Sequence, residues 1–302
     1  MDHGAGSHEH LRGLRDDLAS ALATGRGFAA GKLGFSEQSV LGYLPHIERE
    51  SDPRRIAAYE ATLRFHCERQ TGIFPTDRDF LRRFATAYAD HVRSLDVIGL
   101  FGGPQEPLLR NWHSIPGRGI PYRLMEPDLS IPDRPERCYL PLLAGKRLLI
   151  ATPCARLLAA RCDRETFEAT WAKTGKRWFA PASVAAVEFP YGYVTETKTH
   201  ARFGDVLRLY EHVCADIVRH EFDVAFIAAG ALGIPLAAFV KSLGRIGLSL
   251  GGHLQVIFGV RGKRWLDDPF YRDHVMTNAW IDMPADYRPR DAAALSDGGA
   301  YW

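Results

Sequence analysis

Four segments of this 302-residue chain combine small or glycine-rich turns with side chains able to bind phosphate or move protons. The first, DVAFIAAGALGIP at 223–235, is an apolar run that ends in small residues before a predicted helix. Small residues let a ligand approach the backbone, and amide groups at a helix start favour a phosphate. The predicted contacts are Gly230, Ala231 and Gly233. The same glycines could instead serve only a tight turn and close helix packing, and both interpretations stay open.

The second segment, RIGLSLGGHLQVIFGVRGKRW at 245–265, repeats the strand-glycine-helix pattern and adds cations. Arginine and lysine suit phosphate oxygens, and an indole face suits a base or a sugar. An imidazole at the helix start could act as a base or donate to a phosphate. The alternative places the cations on a solvated surface and the indole in the core. The candidate residues are Gly251, Gly252, His253, Gln255, Lys263, Arg264 and Trp265.

The third segment is GKLGFSE at 31–37, a predicted strand end that carries Lys32, Gly34 and Glu37. Glu37 could hold a metal ion, orient an acceptor hydroxyl or act as a base. Alternatively, it is a carboxylate that interacts with the positive end of a helix.

The fourth segment, MTNAWIDMPADYRP at 276–289, precedes the terminal GGAYW. Asn278 and Trp280 could close over a ligand, or the tail packs on the domain through its aromatic side chains. Thr152 follows a further predicted strand and is another candidate ligand contact.

The elements that must position these residues alternate between strand and helix. Apolar runs predict strands at 27–33, 96–101, 147–151, 184–189, 223–228 and 245–250. Helices are predicted at 8–23, 37–44, 53–69, 77–94, 108–112, 203–220, 235–243 and 253–258, with another starting at 155. This alternation predicts an α/β, Rossmann-like fold with a largely parallel sheet flanked by helices and a helical N-terminal portion. Right-handed crossovers bring the glycine turns to one edge of that sheet.

A segment rich in Pro, Gly, Arg and Asp at 114–137 is predicted to be a linker or a long loop. It separates a helical part with a first strand-turn-helix unit, 1–113, from a Rossmann-like part, 138–302. One continuous domain is the alternative.

Composition limits the class of function. The net charge of +2 disfavours a dedicated nucleic-acid-binding protein. Five cysteines with irregular spacing predict neither a disulfide framework nor a zinc site. The polar N-terminus lacks the apolar core of a signal peptide, and no apolar run is long enough to be a transmembrane segment, so a cytoplasmic protein is expected. A homo-oligomer is compatible with the sequence.

Taken together, these segments resemble a bacterial family assigned to the GT-D glycosyltransferase fold. The resemblance covers roughly the last 170 residues. It rests on LAGKRLLIATP at 143–153, FDVAFIAAGALGIPLAAFVKSLG at 222–244, LGGHLQVIFGVRGKRW at 250–265, NAW at 278–280 and the terminal YW. GKLGFSE is similar to the family's strand-turn segment.

The resemblance implies a nucleotide-sugar donor, a glycan, lipid-linked or small-molecule acceptor, and a divalent Mn²⁺ or Mg²⁺ ion held by an Asp-x-Glu motif. This chain departs from that motif, because Phe35 stands where the aspartate is expected and only Glu37 matches. A hard cation prefers several oxygen ligands. Either Glu37 and the diphosphate hold the metal weakly, or nearby cations replace it.

The expected function is therefore a glycosyltransferase in which Lys263 and Arg264 neutralise the leaving group and Glu37 or His253 acts as base. A degenerate sugar-nucleotide-binding or scaffold protein is one alternative. Another is a different Rossmann-type nucleotide-dependent enzyme, such as a methyltransferase or a hydrolase. A P-loop motif is absent from the sequence, which disfavours the hydrolase.

Overall fold

A computed structural model describes residues 5–102, 115, 117–132 and 138–302 of the chain. The strands of the described residues are β1 (Phe28–Leu33), β2 (Val97–Leu100), β3 (Arg118–Pro121), β4 (Arg147–Ala151), β5 (Ser183–Val187), β6 (Val224–Ile227), β7 (Ile246–Ser249), β8 (Val260–Arg261) and β9 (Ile281–Asp282). The first seven form one sheet in which every neighbouring pair is parallel, in the order β3-β2-β1-β7-β6-β4-β5. The short strands β8 and β9 pair in parallel outside it.

Helices cover both faces of the seven-stranded sheet, which confirms the predicted α/β, Rossmann-like class. The α-helices of the described residues are α1 (Ala5–Thr24), α2 (Phe35–Arg49), α3 (Pro53–His66), α4 (Arg78–Arg93), α5 (Ala155–Ala160), α6 (Arg164–Thr170), α7 (Thr197–Phe203), α8 (Val206–Ile217), α9 (Gly233–Ser242), α10 (His253–Ile257), α11 (Lys263–Leu266) and α12 (Ser296–Gly299). Each of them is too short or too polar to span a lipid bilayer.

Strand β1 shows how the sequence builds the two-sided core. Ala29 and Leu33 belong to one apolar cluster, whereas Phe28 and Ala30 belong to the other. This division follows because successive side chains of a strand point to opposite faces. Helices α2, α3, α4, α8 and α9 contribute to the first cluster, and α1, α5, α6 and α10 contribute to the second.

The neighbouring strands β1 and β7 continue into helices on opposite faces, because α2 follows β1 and α10 follows β7. Such a switch opens a crevice beyond the carboxyl ends of the strands, where ligands of open α/β sheets bind. The fold thus places a crevice at the edge where the sequence predicts its glycine turns.

Two helix starts show ordinary capping chemistry. The Asp77 side chain accepts the Phe80 N–H at 2.9 Å, and Pro53 opens α3. The helix predicted at 203–220 is confirmed over Val206–Ile217. It begins later than predicted, because Gly204 adopts a positive φ of 74° and ends the preceding helix, and Asp205 caps the next one.

The predicted loop at 114–137 contains β3, the edge strand that pairs with β2, and a 3₁₀ turn over Tyr122–Met125. Strand β3 is short and half-polar, so it lacks the apolar run that marks the other strands of the sheet. The helix predicted at 108–112 lies outside the described residues.

Candidate functional site

A cavity of about 630 Å³ opens at the carboxyl edge of the sheet. Its wall includes residues that end or follow each of the seven parallel strands. They are Lys32 at the end of β1 and Gly34 after it, Phe101 after β2, Tyr122 after β3, Thr152 after β4, Tyr191 and Tyr193 after β5, Ala229 and Gly230 after β6, and Ser249 at the end of β7 with Gly251 and Gly252 after it. This volume falls in the ordinary range for a small-molecule site.

The N-terminus of α2 forms one side of the cavity through Phe35, Ser36 and Glu37. The first amide groups of a helix have no partner within the helix and carry its positive partial charge. Gly34 precedes the helix and contributes no capping side chain. Instead, the Glu37 carboxylate accepts its own backbone N–H, and a Cβ at Gly34 would lie 2.5 Å from Oε2. A carboxylate therefore lies where a helix favours an anion.

Burial raises the pKa of the Glu37 carboxyl to about 6, and the hydrogen bond from its own amide lowers it by less. This value brings the change of charge close to neutral pH, which suits a general acid or base. Glu37 is thus a carboxylate in the cavity wall with the protonation behaviour that catalysis uses.

Lys32 lies at the floor of the cavity with a side chain that is only 4% exposed. Its ammonium group pairs with Glu126 and lies 4.6 Å from the centre of the Tyr122 ring. Burial lowers the pKa of Lys32, whereas Glu126 raises it and Arg264 lowers it further. A partly dehydrated cation in a cavity is a strong electrostatic partner for an anion.

The C-terminal residues form another part of the wall. Trp302 donates from Nε1 to the Tyr191 hydroxyl at 3.2 Å and lies edge-on to the Tyr193 ring. Arg264 donates to Asp297 at 3.0 Å and packs over the Tyr301 ring at 4.8 Å. The wall therefore joins aromatic surface, which suits a base or a sugar, to a cation.

The structure brings most of the predicted turn residues together in this cavity. Arg264 lines the same cavity. The turn after β6 and one cation of the RGKRW motif therefore share a single cleft. The predicted residues in the wall are Lys32, Gly34, Glu37, Thr152, Gly230, Gly251, Gly252, Gln255 and Arg264. Gln255 donates to the Tyr301 carbonyl at 3.0 Å and so holds the C-terminal tail.

Four other predicted contacts lie outside the cavity wall. Trp280 is 3% exposed and donates to the Thr170 carbonyl at 3.0 Å. Trp280 and Trp265 are both buried in the second apolar cluster of the core, the one to which Phe28 belongs. Asn278 and Lys263 are exposed and lie outside the cavity wall. Surface and core roles therefore apply to these four residues.

Two small residues of the β6 turn also have packing roles. Ala231 is buried in the core, and a Cβ at Gly233 would lie 2.5 Å from the Ser249 hydroxyl oxygen. Close approach of α9 to β7 therefore explains Gly233, and neither residue belongs to the cavity wall.

His253 is buried and is not part of the wall either, and its role as a base stays a prediction. Its Nδ1 lies 3.2 Å from the second oxygen of Glu126. Burial lowers the pKa of His253 to about 4, outweighing the opposite effect of Glu126, so the ring is neutral at pH 7.

Sequence reasoning missed Glu126, Tyr122, Tyr191, Tyr193 and Asp297. Tyr191 and Tyr193 follow a predicted strand, so the rule that ligands bind at carboxyl ends could have found them. Glu126 and Tyr122 lie in the predicted linker and follow a strand with no recognisable pattern. Asp297 lies in the C-terminal tail, where no sequence motif marks it as a site residue.

The residues around Glu37 do not fit a resident divalent cation. The position before Ser36 carries a phenyl ring instead of an oxygen ligand, and the Asp297 carboxylate is paired with Arg264. No group of three or more His, Cys, Asp or Glu side chains among the described residues could hold a metal ion. A hard cation prefers several oxygen ligands, so this set does not match it.

Changing His253 to glutamine is expected to weaken the dependence of stability on pH. The folded pKa of about 4 lies below the ordinary 6.5, so the unfolded chain binds more protons between these values. His253 therefore lowers the free energy of unfolding by about 3 kcal/mol as pH falls from 6.5 to 4. Urea unfolding at several pH values measures this loss, which His253→Gln should lack. The exposed His274→Gln should keep the wild-type profile, and identical profiles for both variants would contradict the assignment.

Comparison of the chain with protein-family models, curated proteins and solved structures finds no match.

Proposed function

We propose that this protein is a glycosyltransferase that binds a nucleotide-sugar donor in the cavity and passes the sugar to an acceptor hydroxyl. The main support is the meeting of Lys32, Arg264 and the N-terminus of α2 with the Glu37 carboxylate at the switch point of a parallel sheet. Cations and helix amides bind a diphosphate, and the carboxylate supplies a base.

The donor would lie along the floor and the aromatic wall. Its diphosphate would contact Lys32 and Arg264, the lysine and the arginine among the described residues of the wall. Its base or sugar would pack on the rings of Tyr191, Tyr193 or Trp302, which form one aromatic cluster. Both charge and surface of the cavity thus suit a sugar joined to a nucleoside diphosphate.

The reaction needs one base and a stabilised leaving group. The acceptor oxygen forms a bond to the anomeric carbon, while the bond from that carbon to the diphosphate oxygen breaks. Glu37 takes the proton of the acceptor hydroxyl, and the nucleoside diphosphate leaves with the bonding electron pair. Lys32 and Arg264 neutralise the charge that develops on the diphosphate. Because the residues near Glu37 do not fit a divalent cation, we assign this neutralisation to the two side chains.

A non-catalytic sugar-nucleotide-binding protein is the second candidate. The observation that favours it is Phe35, whose exposed ring lies in the cavity wall at the position where the resemblance implies a metal-binding aspartate. Such a protein would bind the donor without releasing free nucleotide.

Thermal-shift measurements with UDP-, GDP-, CMP- and dTDP-sugars, with and without Mn²⁺, test the proposal. A donor at a hundredfold excess over its Kd stabilises a protein by about 2.7 kcal/mol. For a chain of this size we expect one donor to raise Tm by several degrees without Mn²⁺. Release of nucleotide in the presence of an acceptor distinguishes a transferase from a binding protein.

A matched pair of arginine variants locates the binding. Arg264→Gln removes a cation of the wall, whereas Arg261→Gln removes one that pairs with Asp282 outside it. The first should abolish most of the shift and the second should retain it. Failure of every nucleotide-sugar to raise Tm, or equal shifts in both variants, would contradict the proposed function.

A further inference from the structure

Three polar side chains from separate strand ends meet beneath the cavity. Lys32 belongs to the end of β1, Glu126 follows the 3₁₀ turn after β3, and His253 opens α10 after β7. Glu126 uses both carboxylate oxygens, one toward Lys32 and the other toward His253. Lys32 and His253 are almost fully buried, and the Glu126 side chain is 25% exposed.

The charges in this cluster differ in what they do to Lys32. Glu126 is the negative group at the ammonium, Tyr122 contributes its ring face, and Arg264 adds a positive charge from the wall. His253 is held by the same carboxylate but is neutral at pH 7, because burial lowers its pKa. A neutral ring orients the Glu126 carboxylate without competing for its charge, so the carboxylate remains the counter-ion of Lys32.

We infer that Glu126 is a positioning residue that keeps the Lys32 ammonium protonated and fixed at the cavity floor, ready for an anion such as the diphosphate of the donor. The identity of the anion rests on the proposed function, whereas the pairing of Glu126 with Lys32 does not. A buried ammonium without its carboxylate partner loses its proton more easily, and a neutral amine attracts a phosphate far less.

Direct titration of Lys32 tests the first half of the inference. In protein labelled with ¹³C at the lysine ε carbon, the Lys32 signal is the one missing from Lys32→Arg. Removal of the Glu126 charge in Glu126→Gln should lower the pKa of Lys32 below its wild-type value. Asp96→Asn is the matched control. It removes the carboxylate that lies 2.9 Å from the Lys241 ammonium, at the opposite edge of the sheet. That control should leave the Lys32 signal unchanged.

Calorimetric titration with inorganic pyrophosphate between pH 6 and 9 tests the second half. At pH 8, Glu126→Gln should bind about tenfold more weakly than wild type, since a hydrogen bond from a charged donor is lost. Its binding should tighten as pH falls, because protonation of Lys32 returns. The double variant Lys32→Arg/Glu126→Gln should recover affinity at pH 8, because a guanidinium stays charged without a carboxylate. This double variant also serves if the single one does not fold.

The outcomes separate the two proposals. An unchanged pKa of Lys32 in Glu126→Gln, or wild-type pyrophosphate affinity of that variant at pH 8, would overturn the inference. If wild type binds neither pyrophosphate nor any nucleotide-sugar, the proposed function fails, while the lysine titration still decides whether Glu126 keeps Lys32 charged.

Discussion

Replacing Glu37 by glutamine is expected to lower kcat for the proposed sugar transfer by about 10²–10⁴-fold and to leave affinity for the proposed donor close to wild type. The amide has nearly the shape of the carboxylate but cannot accept the acceptor's proton. In wild type, kcat should rise with pH through about 6, because burial raises the pKa of Glu37 to that value and only the ionised form is a base. Steady-state kinetics from pH 5 to 8 measure both effects.

Glu188→Gln is the control for this prediction. Its side chain is 24% exposed, lies near Arg156 and is not part of the cavity wall. This variant should keep the wild-type kcat and pH profile. If Glu37→Gln retained wild-type kcat at pH 7, or if its pH profile still showed a step near 6, Glu37 would not be the base.

Replacing Lys32 by methionine is expected to lower the free energy of unfolding strongly. The change leaves the Glu126 carboxylate without its ammonium partner, and breaking a buried ion pair costs about 3–5 kcal/mol. For a domain of this size such a loss lowers Tm on the order of 10 °C. Chemical unfolding and calorimetry measure it directly.

A double variant separates stability from ligand binding at the same position. In Lys32→Met/Glu126→Gln both charges are absent, and neutral replacement of a buried pair is often tolerated. We expect stability to recover most of the loss while donor affinity stays low, because the cavity floor no longer carries a cation. Wild-type donor affinity in this variant would show that Lys32 is dispensable for binding.

The strand ends were predictable because they depend on local pattern. The apolar runs that become β1, β4, β6 and β7 stop at small residues or glycines, and a parallel sheet with right-handed crossovers must collect those ends at one edge. This is why Gly34, Gly230 and Gly251 could be placed in one site from the sequence.

Individual side chains were harder to predict, because their direction depends on packing partners far along the chain. Trp280 and Trp265 are residues of a type that often contacts a ligand, yet both side chains are buried in the core. Arg264 and Lys263 are neighbours in the same motif, but only Arg264 is part of the cavity wall. Successive side chains of an α-helix point about 100° apart around its axis, and composition does not decide which of them faces the cavity.

The sequence by itself determined the class of fold and the edge of the sheet where a ligand would bind, because hydrophobic periodicity and turn chemistry act over a few residues. Only the tertiary structure decided that Glu126 pairs with Lys32, 94 positions away, and that the C-terminal Trp302 packs against Tyr191 and Tyr193. Those contacts depend on strand order and on a polar segment without a pattern. Their physical cause is the burial of charge and aromatic surface at a common edge, which arises only when the chain is folded.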